Sequence, residues 1–511
     1  MSATLQIAII VGYLILALAI GLIAYRATER TAEDFYLASR SFGTVVLIFT
    51  VFATLLSAFT FFGGPDNAYA FGPEWILVMG LMDGVIFALL WYFVGYKQWL
   101  LGQQYGYVTL GEMLGDRFGS RRLRALVAGI SLFWLFPYIM LQQIGAGGAL
   151  ASLTDGAVPF WFGATLITVF MIIYVTLAGM RGIAWTDTLQ GAFMLVMVWT
   201  ALLWVLVSVD GGISTINAGL EATSPEFLAL GSDFYTPSRM LTFAISIGFG
   251  VAMFPQVNQR FFAASSETVL KRSFALWPLI VVLLFVPAFL LGTWAKGLGL
   301  EANVGAGQSI LPVVLNEFAP AWFAALVIAG AVAAMMSSSD SMLLSGSSYF
   351  TRDVYRPLVD DGLSQRREDL LGRIGVGVFA FLALAASIWI EEVGAFGAGS
   401  VGSLLVEIGD LAFGGFAQLT IPVLVALYWR QTTRRGIAAG ILLPQLVYLA
   451  FNMLPETGIA GVRVFAGSYF GWGISIYCML VGLVVTVGLS AVTSQAPEEK
   501  SALYFDRLRA D

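Results

Sequence analysis

Long apolar runs recur along the whole chain and constrain its fold more than any other feature. Several of them contain 18 or more residues, which is enough for a helix to cross about 30 Å of hydrocarbon. Hydrophobic residues make up 59% of the 511 residues and charged residues only 11%, whereas a soluble domain carries about 25% charged residues. The sequence therefore predicts an all-α integral membrane protein embedded in the lipid bilayer.

The residue types that are missing or rare exclude several classes of function. The chain has no histidine, so a Ser-His-Asp triad and histidine metal sites are excluded, and we do not expect an enzyme. Its single cysteine, Cys478, cannot form an intramolecular disulfide. A net charge of −6 has the wrong sign for a nucleic-acid partner.

The apolar runs, divided at charged residues and at glycine or proline breaks, predict thirteen membrane-spanning helices. In chain order these cover residues 5–25, 44–64, 75–97, 125–153, 159–179, 185–209, 239–256, 273–297, 319–350, 373–392, 400–428, 436–455 and 467–493.

The basic residues orient these helices. Arg26 is the first basic residue and follows the first helix, which is the reverse of the charge order in a signal peptide. If the N-terminus is outside, 23 of the 26 Lys and Arg residues fall in inside segments, and only Arg239, Lys296 and Arg463 do not. The positive-inside rule therefore predicts a multi-pass protein of the cell membrane, with its N-terminus outside and a cytoplasmic tail at 494–511.

Two of the predicted helices contain glycine and proline inside their apolar runs. The second contains Gly63-Gly64-Pro65, and the seventh contains Gly248, Gly250 and Pro255. Close helix packing would explain one such helix. Two of them, five helices apart, predict an inverted repeat with a binding site between broken helices. Its halves would cover 44–209 and 239–428, outside which lie the first helix (5–25) and two peripheral C-terminal helices (436–493).

The densest group of polar residues within an apolar run lies in the ninth helix. Ser337, Ser338, Asp340 and Ser341 fall within about one helical turn. Serine hydroxyls can simply bond back to the preceding turn, but an ionised aspartate in the membrane costs at least ~2.5 kcal/mol unless it is compensated. Sodium, a hard cation that binds oxygen ligands, would compensate it. The cluster therefore predicts a cation site.

Other carboxylates in the predicted helices leave several interpretations open. Asp187 begins the sixth helix, where it either interacts with the helix macrodipole or joins Asp340 in a second cation site or exit path. Asp83, Glu407 and Asp410 are either protonated, paired or in contact with a solute.

Five motifs occur in an order that is typical of one family. They are Asp34–Arg40, Ala53–Gly64, Gly179–Gly182 leading to Trp185–Asp187, Gln259–Ala264, and Ser337-Ser338 through Thr351–Tyr355. In these motifs the chain resembles the sodium:solute symporter family, which includes bacterial sodium/proline, sodium/monocarboxylate and sodium/galactose symporters.

The resemblance implies thirteen spans with an outside N-terminus and a five-plus-five inverted repeat of the leucine-transporter type. It also implies a main sodium site between the broken second helix and the ninth helix. By motif, the ligands would be the backbone carbonyls of Ala53, Leu56 and Ala334 and the hydroxyls of Ser337 and Ser338.

Some members of the family are thought to hold a second sodium ion, for which the matching positions are Asp187, Asp340 and Ser341. Asp340 stands where the family often has a small or hydroxyl residue. The resemblance therefore leaves open whether the second site is altered here or used by a proton.

The predicted solute pocket departs from that of the sugar transporters. Where those place polar residues after the break in the second helix, this chain has Phe59, Thr60, Phe61 and Phe62. A sugar would leave hydroxyl groups unpaired against such a wall. The segment Phe59–Pro65 resembles members that carry small monocarboxylates or amino acids, and the expected pocket is lined by Ser57, Phe59 and Thr60.

The expected function is sodium-coupled symport of a small organic solute by alternating access. A proton-coupled symporter of the same fold would use Asp340 or Asp187 as its proton carrier. A solute sensor derived from a transporter is a further alternative, although the chain ends soon after the thirteenth helix without a signalling domain.

Overall fold

The secondary structure of the chain is almost entirely α-helical. The computed structural model describes residues 2–29, 31–154, 156–300, 309–393, 401–454, 458–459, 462–463, 467–494 and 504–505. Residue 400, at the start of the predicted eleventh helix, and most of the predicted tail 494–511 lie outside the described residues.

The described part of the chain contains eighteen α-helices, four two-residue strands and two short 3-10 helices, Ala38–Arg40 and Pro225–Leu228. The helices are α1 (Ser2–Tyr25), α2 (Ala32–Leu37), α3 (Thr44–Leu55), α4 (Phe59–Phe71), α5 (Ile76–Tyr105), α6 (Leu110–Arg117), α7 (Arg121–Leu153), α8 (Phe160–Ser208), α9 (Ile213–Thr223), α10 (Pro237–Ala252), α11 (Pro255–Ala263), α12 (Glu267–Gly297), α13 (Ile310–Phe318), α14 (Ala321–Leu358), α15 (Gln365–Val393), α16 (Val401–Tyr428), α17 (Arg434–Met453) and α18 (Ile474–Val492). The strands are β1 (Gly458–Ile459), β2 (Val462–Arg463), β3 (Ser468–Tyr469) and β4 (Trp472–Gly473), and they pair as the antiparallel hairpins β1–β2 and β3–β4.

The predicted membrane-spanning helices all have a counterpart in the structure. By length and composition, ten described helices can cross a membrane, and the bent pairs α3–α4 and α10–α11 raise the number to twelve. The helix α8 has 49 residues and leaves the helical conformation at Gly179, where φ is 55° and ψ is −146°. At ~1.5 Å per residue it is long enough for two crossings. It therefore covers the predicted fifth and sixth helices, and the all-α membrane fold is confirmed.

The two bends lie in the two helices that the sequence marked as interrupted. The pair α3–α4 bends by 64° and the pair α10–α11 by 53°. Between α3 and α4, Leu56 adopts an extended backbone conformation. Between α10 and α11, Pro255 occupies the first helical position of α11, where its missing N–H leaves no hydrogen bond unmade. The limits of the two predicted repeats, 44–209 and 239–428, stay predictions.

Gly64, which follows the first bend, allows close helix packing. Gly64 lies inside α4, and a Cβ atom at this position would lie 1.9 Å from the Phe289 ring of α12. Close helix packing was one of the two interpretations of this segment, and it explains Gly64. The break itself lies upstream, at Leu56.

The helix α14 lies at the centre of the bundle. In its most apolar stretch 83% of the residues are buried, against 28% in α1. It packs against α1, α3, α7, α8 and α15. A helix that is surrounded by other helices needs no water-facing side, so the polar residues on α14 require partners inside the protein.

A charged cluster fastens the C-terminal end of α14 to α6 and α7. Arg124 lies 2.9 Å from Glu112 and 2.8 Å from Asp353, and Arg352 lies 3.2 Å from Glu112. Burial raises the pKa of Glu112, but the guanidinium groups of Arg352 and Arg124 outweigh this effect and hold the pKa below its usual value. Glu112 is thus kept ionised between two arginines.

The predicted thirteenth helix starts too early. Residues 468–473 form the hairpin β3–β4, and the helix α18 begins only at Ile474. Phe470 and Gly471 at the tip of the hairpin both have positive φ, which suits the tight turn of a two-residue hairpin loop. The apolar run 467–493 therefore contains a turn that its composition does not reveal.

Candidate functional site

The serine segment of α14 lies directly against the break between α3 and α4. The Ser338 hydroxyl donates to the Thr54 carbonyl oxygen at 2.9 Å and also to the Leu56 carbonyl oxygen. Because α3 ends at Leu55, its last carbonyl groups have no helical N–H partner. The structure thus brings together two of the predicted sodium ligands, the Ser338 hydroxyl and the Leu56 carbonyl.

The other three predicted main-site residues are fully buried around this contact. Ala53 lies in the last turn of α3, and Ala334 lies one turn before Ser338 on α14. The Ser337 hydroxyl points elsewhere, because it donates to Asp187 Oδ1 at 2.5 Å. Ser337 therefore connects the predicted main site to the predicted second site.

The arrangement at the break suits a hard cation. Freed carbonyl oxygens and serine hydroxyl oxygens are neutral oxygen ligands, the type that sodium prefers. The proton of the Ser338 hydroxyl stands between the oxygens that a sodium ion would join. Rotation of the Ser338 hydroxyl would move its proton aside and leave the same three oxygens free to bind an ion.

The predicted second group is organised around Asp187, which is fully buried in α8. It accepts hydrogen bonds from Ser337 at 2.5 Å, Thr50 at 2.5 Å and Arg260 at 3.1 Å. Asp187 lies two turns beyond Gly179, where the helix changes direction. Since the macrodipole acts only within the first turn, these three partners stabilise Asp187 and the macrodipole does not.

Arg260 is a site residue that the sequence did not identify. The sequence predicts that Arg260 lies in an inside segment between the seventh and eighth helices. The structure places it in α11 with its side chain fully buried. Its guanidinium donates to Asp187 and, at 2.5 Å, to the Ser341 hydroxyl. The available signal was the carboxylate itself, since an acidic residue within the membrane requires a partner.

Asp340 has a different hydrogen-bond partner from the other two predicted second-site residues. Its Oδ2 accepts a hydrogen bond from the Tyr174 hydroxyl of α8. Its Oδ1 is buried and has no hydrogen-bond partner in the described part of the chain. The structure thus joins Asp187 to Ser341 through Arg260, whereas Asp340 pairs with a tyrosine.

The start of α4 is held by a glutamine of α7. Gln142 accepts a hydrogen bond from the Ala58 backbone N–H at 2.9 Å, so it satisfies a donor that the break leaves without a helical partner. Ser57 is hydrogen-bonded to the Tyr138 hydroxyl, also of α7, at 3.2 Å. Gln142 therefore does more than join two helices: it supports the broken segment.

An apolar cavity adjoins the break. Two of the three predicted substrate residues, Phe59 and Thr60, line it, while Ser57 faces Tyr138. Among its lining residues only Thr60, Tyr138 and Trp277 carry a polar side-chain group, and the Trp277 indole N–H has no partner among the residues described. The lining residues are Phe52, Leu55, Leu56, Phe59, Thr60, Met79, Phe87, Tyr138, Ile247, Val251, Trp277, Val281, Leu284, Phe285 and Phe413.

Comparison with known proteins places these features in one family. Residues 35–443 match the model of the sodium:solute symporter family. The sodium/pantothenate symporter of Escherichia coli (strain K12) is 27% identical over 480 residues, which cover 90% of this chain and 96% of that protein. The sodium/proline symporter of Haemophilus influenzae is 26% identical over 465 residues, which cover 86% of each protein.

The fold is also that of a solved transporter. A Na⁺-coupled sialic acid symporter in a substrate-bound outward-open state superposes with a TM-score of 0.76 at 21% identity, and the match covers 96% of this chain and 99% of that one. The family model covers most of the chain, and sodium is the coupling ion of this family. The chain therefore belongs to the sodium:solute symporter family.

Proposed function

We propose that this protein imports a small organic solute together with sodium by alternating access. The main support is the position of Leu56. Its carbonyl oxygen faces Ser338 of α14, and its side chain lines the apolar cavity. An ion bound at the break and a solute bound in the cavity would therefore meet at the same residue.

Sodium would couple to solute through the end of α3. An ion held by the carbonyls of Ala53, Leu56 and Ala334 and the hydroxyls of Ser337 and Ser338 would fix α3 against α14. Fixing Leu56 also fixes the cavity wall that it shares with Phe59. A pocket completed only in the ion-bound state binds solute better in that state, which is the differential affinity that coupling requires.

The driving force is sufficient for accumulation. One sodium ion moving down a potential of about 100 mV gains ~2.3 kcal/mol, and a tenfold concentration gradient adds ~1.4 kcal/mol. Since each tenfold of solute gradient costs ~1.4 kcal/mol, one ion supports accumulation of a neutral solute by several hundredfold.

The solute is, on this proposal, a monocarboxylate or an amino acid and not a sugar. Only three of the residues that line the cavity, Thr60, Tyr138 and Trp277, carry a polar side-chain group, and the others are apolar. These groups suit a solute with one polar end and an apolar body, because the hydroxyls of a sugar would stay unpaired. The two relatives are named for pantothenate and proline, and both of these compounds carry a carboxyl group.

We also propose that the protein lies in the cell membrane with its N-terminus outside and its C-terminus in the cytoplasm. The distribution of basic residues supports this orientation, since only Arg239, Lys296 and Arg463 fall outside the proposed inner segments.

Uptake measurements with and without sodium test the proposed function. A panel of labelled amino acids, short carboxylates and sugars would be offered to proteoliposomes that contain the wild type or Ser338→Ala. We expect sodium-dependent uptake in the wild type and at least a tenfold higher half-maximal sodium concentration in Ser338→Ala, because the variant lacks one ion ligand. The double variant Ser337→Ala/Ser338→Ala should lose sodium dependence altogether.

Ser345→Ala is the matched control. Ser345 is equally buried on the same helix, but within the described ranges its hydroxyl bonds only to the Met342 carbonyl of α14 itself. Its sodium dependence should equal that of the wild type. Uptake that is unchanged in sodium-free medium would contradict sodium coupling. If a pH gradient then drives uptake, the proton-coupled alternative is favoured, with Asp340 and its unpaired Oδ1 as the proton carrier.

A further inference from the structure

Asp83 is a buried carboxylate beside the apolar cavity, and the proposed ion coupling does not use it. We propose that Asp83 binds the ammonium group of the solute, so that this transporter selects an amino acid over the carboxylic acid of the same skeleton that lacks the amino group. The inference rests on the proposed sodium symport and narrows its solute class.

The position of Asp83 on α5 places it at the edge of the cavity. Met79 and Phe87, about one helical turn before and after it, share its face of the helix and both line the cavity. A Cβ atom at Gly248 of α10 would lie 3.7 Å from Asp83 Oδ1. Ile247, next to Gly248, is another lining residue. Asp83 therefore lies where α5 and α10 together form the cavity wall.

The carboxyl group of Asp83 is buried and makes no hydrogen bond within the described ranges. An ionised carboxylate only accepts hydrogen bonds, and burying its charge is costly unless a counter-charge and donors compensate it. The ammonium group of a solute supplies both, since it carries a positive charge and several N–H donors. Asp83 therefore has the free acceptors that such a group requires.

The remaining cavity wall suits the other end of an amino acid. The Trp277 indole N–H is buried without a partner among the residues described, so it is available to donate to the carboxylate of the solute. The rings of Trp277 and Phe87 stack with their centroids 6.4 Å apart, and aromatic ring faces attract a cation. In the described part of the chain the cavity is lined by no lysine or arginine, so an ammonium group meets no like charge there.

Asp410 of α16 is a second acidic residue near this wall. It lies about one turn before Phe413, which lines the cavity, and α16 packs against α10. Its Oδ1 also has no hydrogen-bond partner in the described ranges. We assign the ammonium group to Asp83 because both of its oxygens are unpaired and it is fully buried, whereas Asp410 is only partly buried.

The solute preference of the wild type tests the inference directly. The amino acid that the uptake panel identifies would be compared, in proteoliposomes with sodium, with the carboxylic acid of the same skeleton. For valine, for example, this compound is isovalerate. We expect uptake of the amino acid to be about tenfold faster or more, because the deaminated compound leaves Asp83 unpaired. A preferred solute without an amino group, or equal uptake of the two compounds, would overturn the inference.

The substitution Asp83→Asn tests the residue itself. Asparagine keeps the shape but removes the charge, and the carboxyl group has no hydrogen bond to lose within the described ranges, so the variant should fold. We expect the half-maximal concentration of the amino acid to rise by about tenfold or more, while uptake of the deaminated compound is not reduced. Asp83→Glu retains the charge and should retain the preference. A variant Asp83→Asn that impairs both compounds alike would show a structural role and contradict the inference.

Asp410→Asn is the matched control. It makes the same chemical change on α16 and should keep the preference for the amino acid. Loss of the preference in Asp410→Asn but not in Asp83→Asn would overturn the assignment. Uptake by the wild type that does not depend on sodium would refute the proposed function itself, whereas sodium-dependent uptake without preference for an amino group would refute only the role of Asp83.

Discussion

Buried carboxylates in this protein differ sharply in their partners. Asp34 accepts hydrogen bonds from the Glu29 N–H at 2.9 Å and the Ser39 hydroxyl at 3.2 Å and pairs with Arg181 at 2.5 Å. Asp83 on α5 is equally buried, but neither of its carboxyl oxygens has a hydrogen-bond partner in the described ranges. A Cβ atom at Gly248 of α10 would lie 3.7 Å from Asp83 Oδ1, so the carboxyl group lies against a residue without a side chain. The unpaired carboxyl group of Asp83 therefore destabilises the folded protein.

Replacing Asp83 by leucine should stabilise the protein. Leucine keeps the branched shape but removes the unsatisfied polar group, so we expect the free energy of unfolding to rise by about 1–3 kcal/mol. The measurement is the unfolding temperature in detergent. The matched control, Asp34→Leu, removes a well-paired carboxylate and should lower stability by about 2 kcal/mol. A lower unfolding temperature for Asp83→Leu would show that this carboxyl group has a partner in the folded protein.

At the scale of the helices, the change of direction within α8 depends on one glycine. Gly179 has φ 55° and ψ −146°, a conformation that is strained for every residue with a side chain. A Cβ atom there would lie 2.5 Å from the Phe35 ring and 2.6 Å from the Phe35 carbonyl oxygen. The segment that contains α2 therefore packs directly against the backbone of the bend.

The substitution Gly179→Ala should destabilise the protein by about 3 kcal/mol, since backbone strain alone costs ~1–3 kcal/mol and the contact with Phe35 adds to it. The loss would be measured as a lower unfolding temperature in detergent. Gly129→Ala on α7 is the matched control, because no atom lies within 4 Å of a Cβ there and alanine favours a helix by up to ~1 kcal/mol. Equal stability of Gly179→Ala and the wild type would show that this bend is not a fixed feature.

At the scale of the whole molecule, the single cysteine makes the proposed orientation testable. Cys478 is buried, so a new cysteine at an exposed position would be labelled selectively. Leu230, between α9 and α10, is 75% exposed, and Val359, just after α14, is 68% exposed. In the proposed orientation these two positions lie on opposite sides of the membrane.

A membrane-impermeant maleimide should label Leu230→Cys in intact cells and Val359→Cys only after permeabilisation. The wild type, which has only the buried Cys478, serves as the unlabelled control. Labelling of Val359→Cys in intact cells, with Leu230→Cys protected, would show that the orientation is inverted.

The sequence by itself determined the class of the protein and which two of its helices are broken. These properties depend on short stretches of chain, because crossing a membrane requires only a sufficiently long apolar run. The same reasoning failed for 467–473, where a hairpin interrupts an apolar run. The family motifs also identified Ser338 and Leu56, whose contact the structure contains.

Only the tertiary structure decided which buried charges are paired. Asp187 and Arg260 are 73 positions apart, and Tyr174 and Asp340 are 166 positions apart. Whether such residues meet depends on how each helix is rotated and where the broken helices bend. Arg260 falls between two predicted helices for this reason. Its place beside Asp187 follows from the packing of α11 against α3 and α14, and no local pattern encodes that packing.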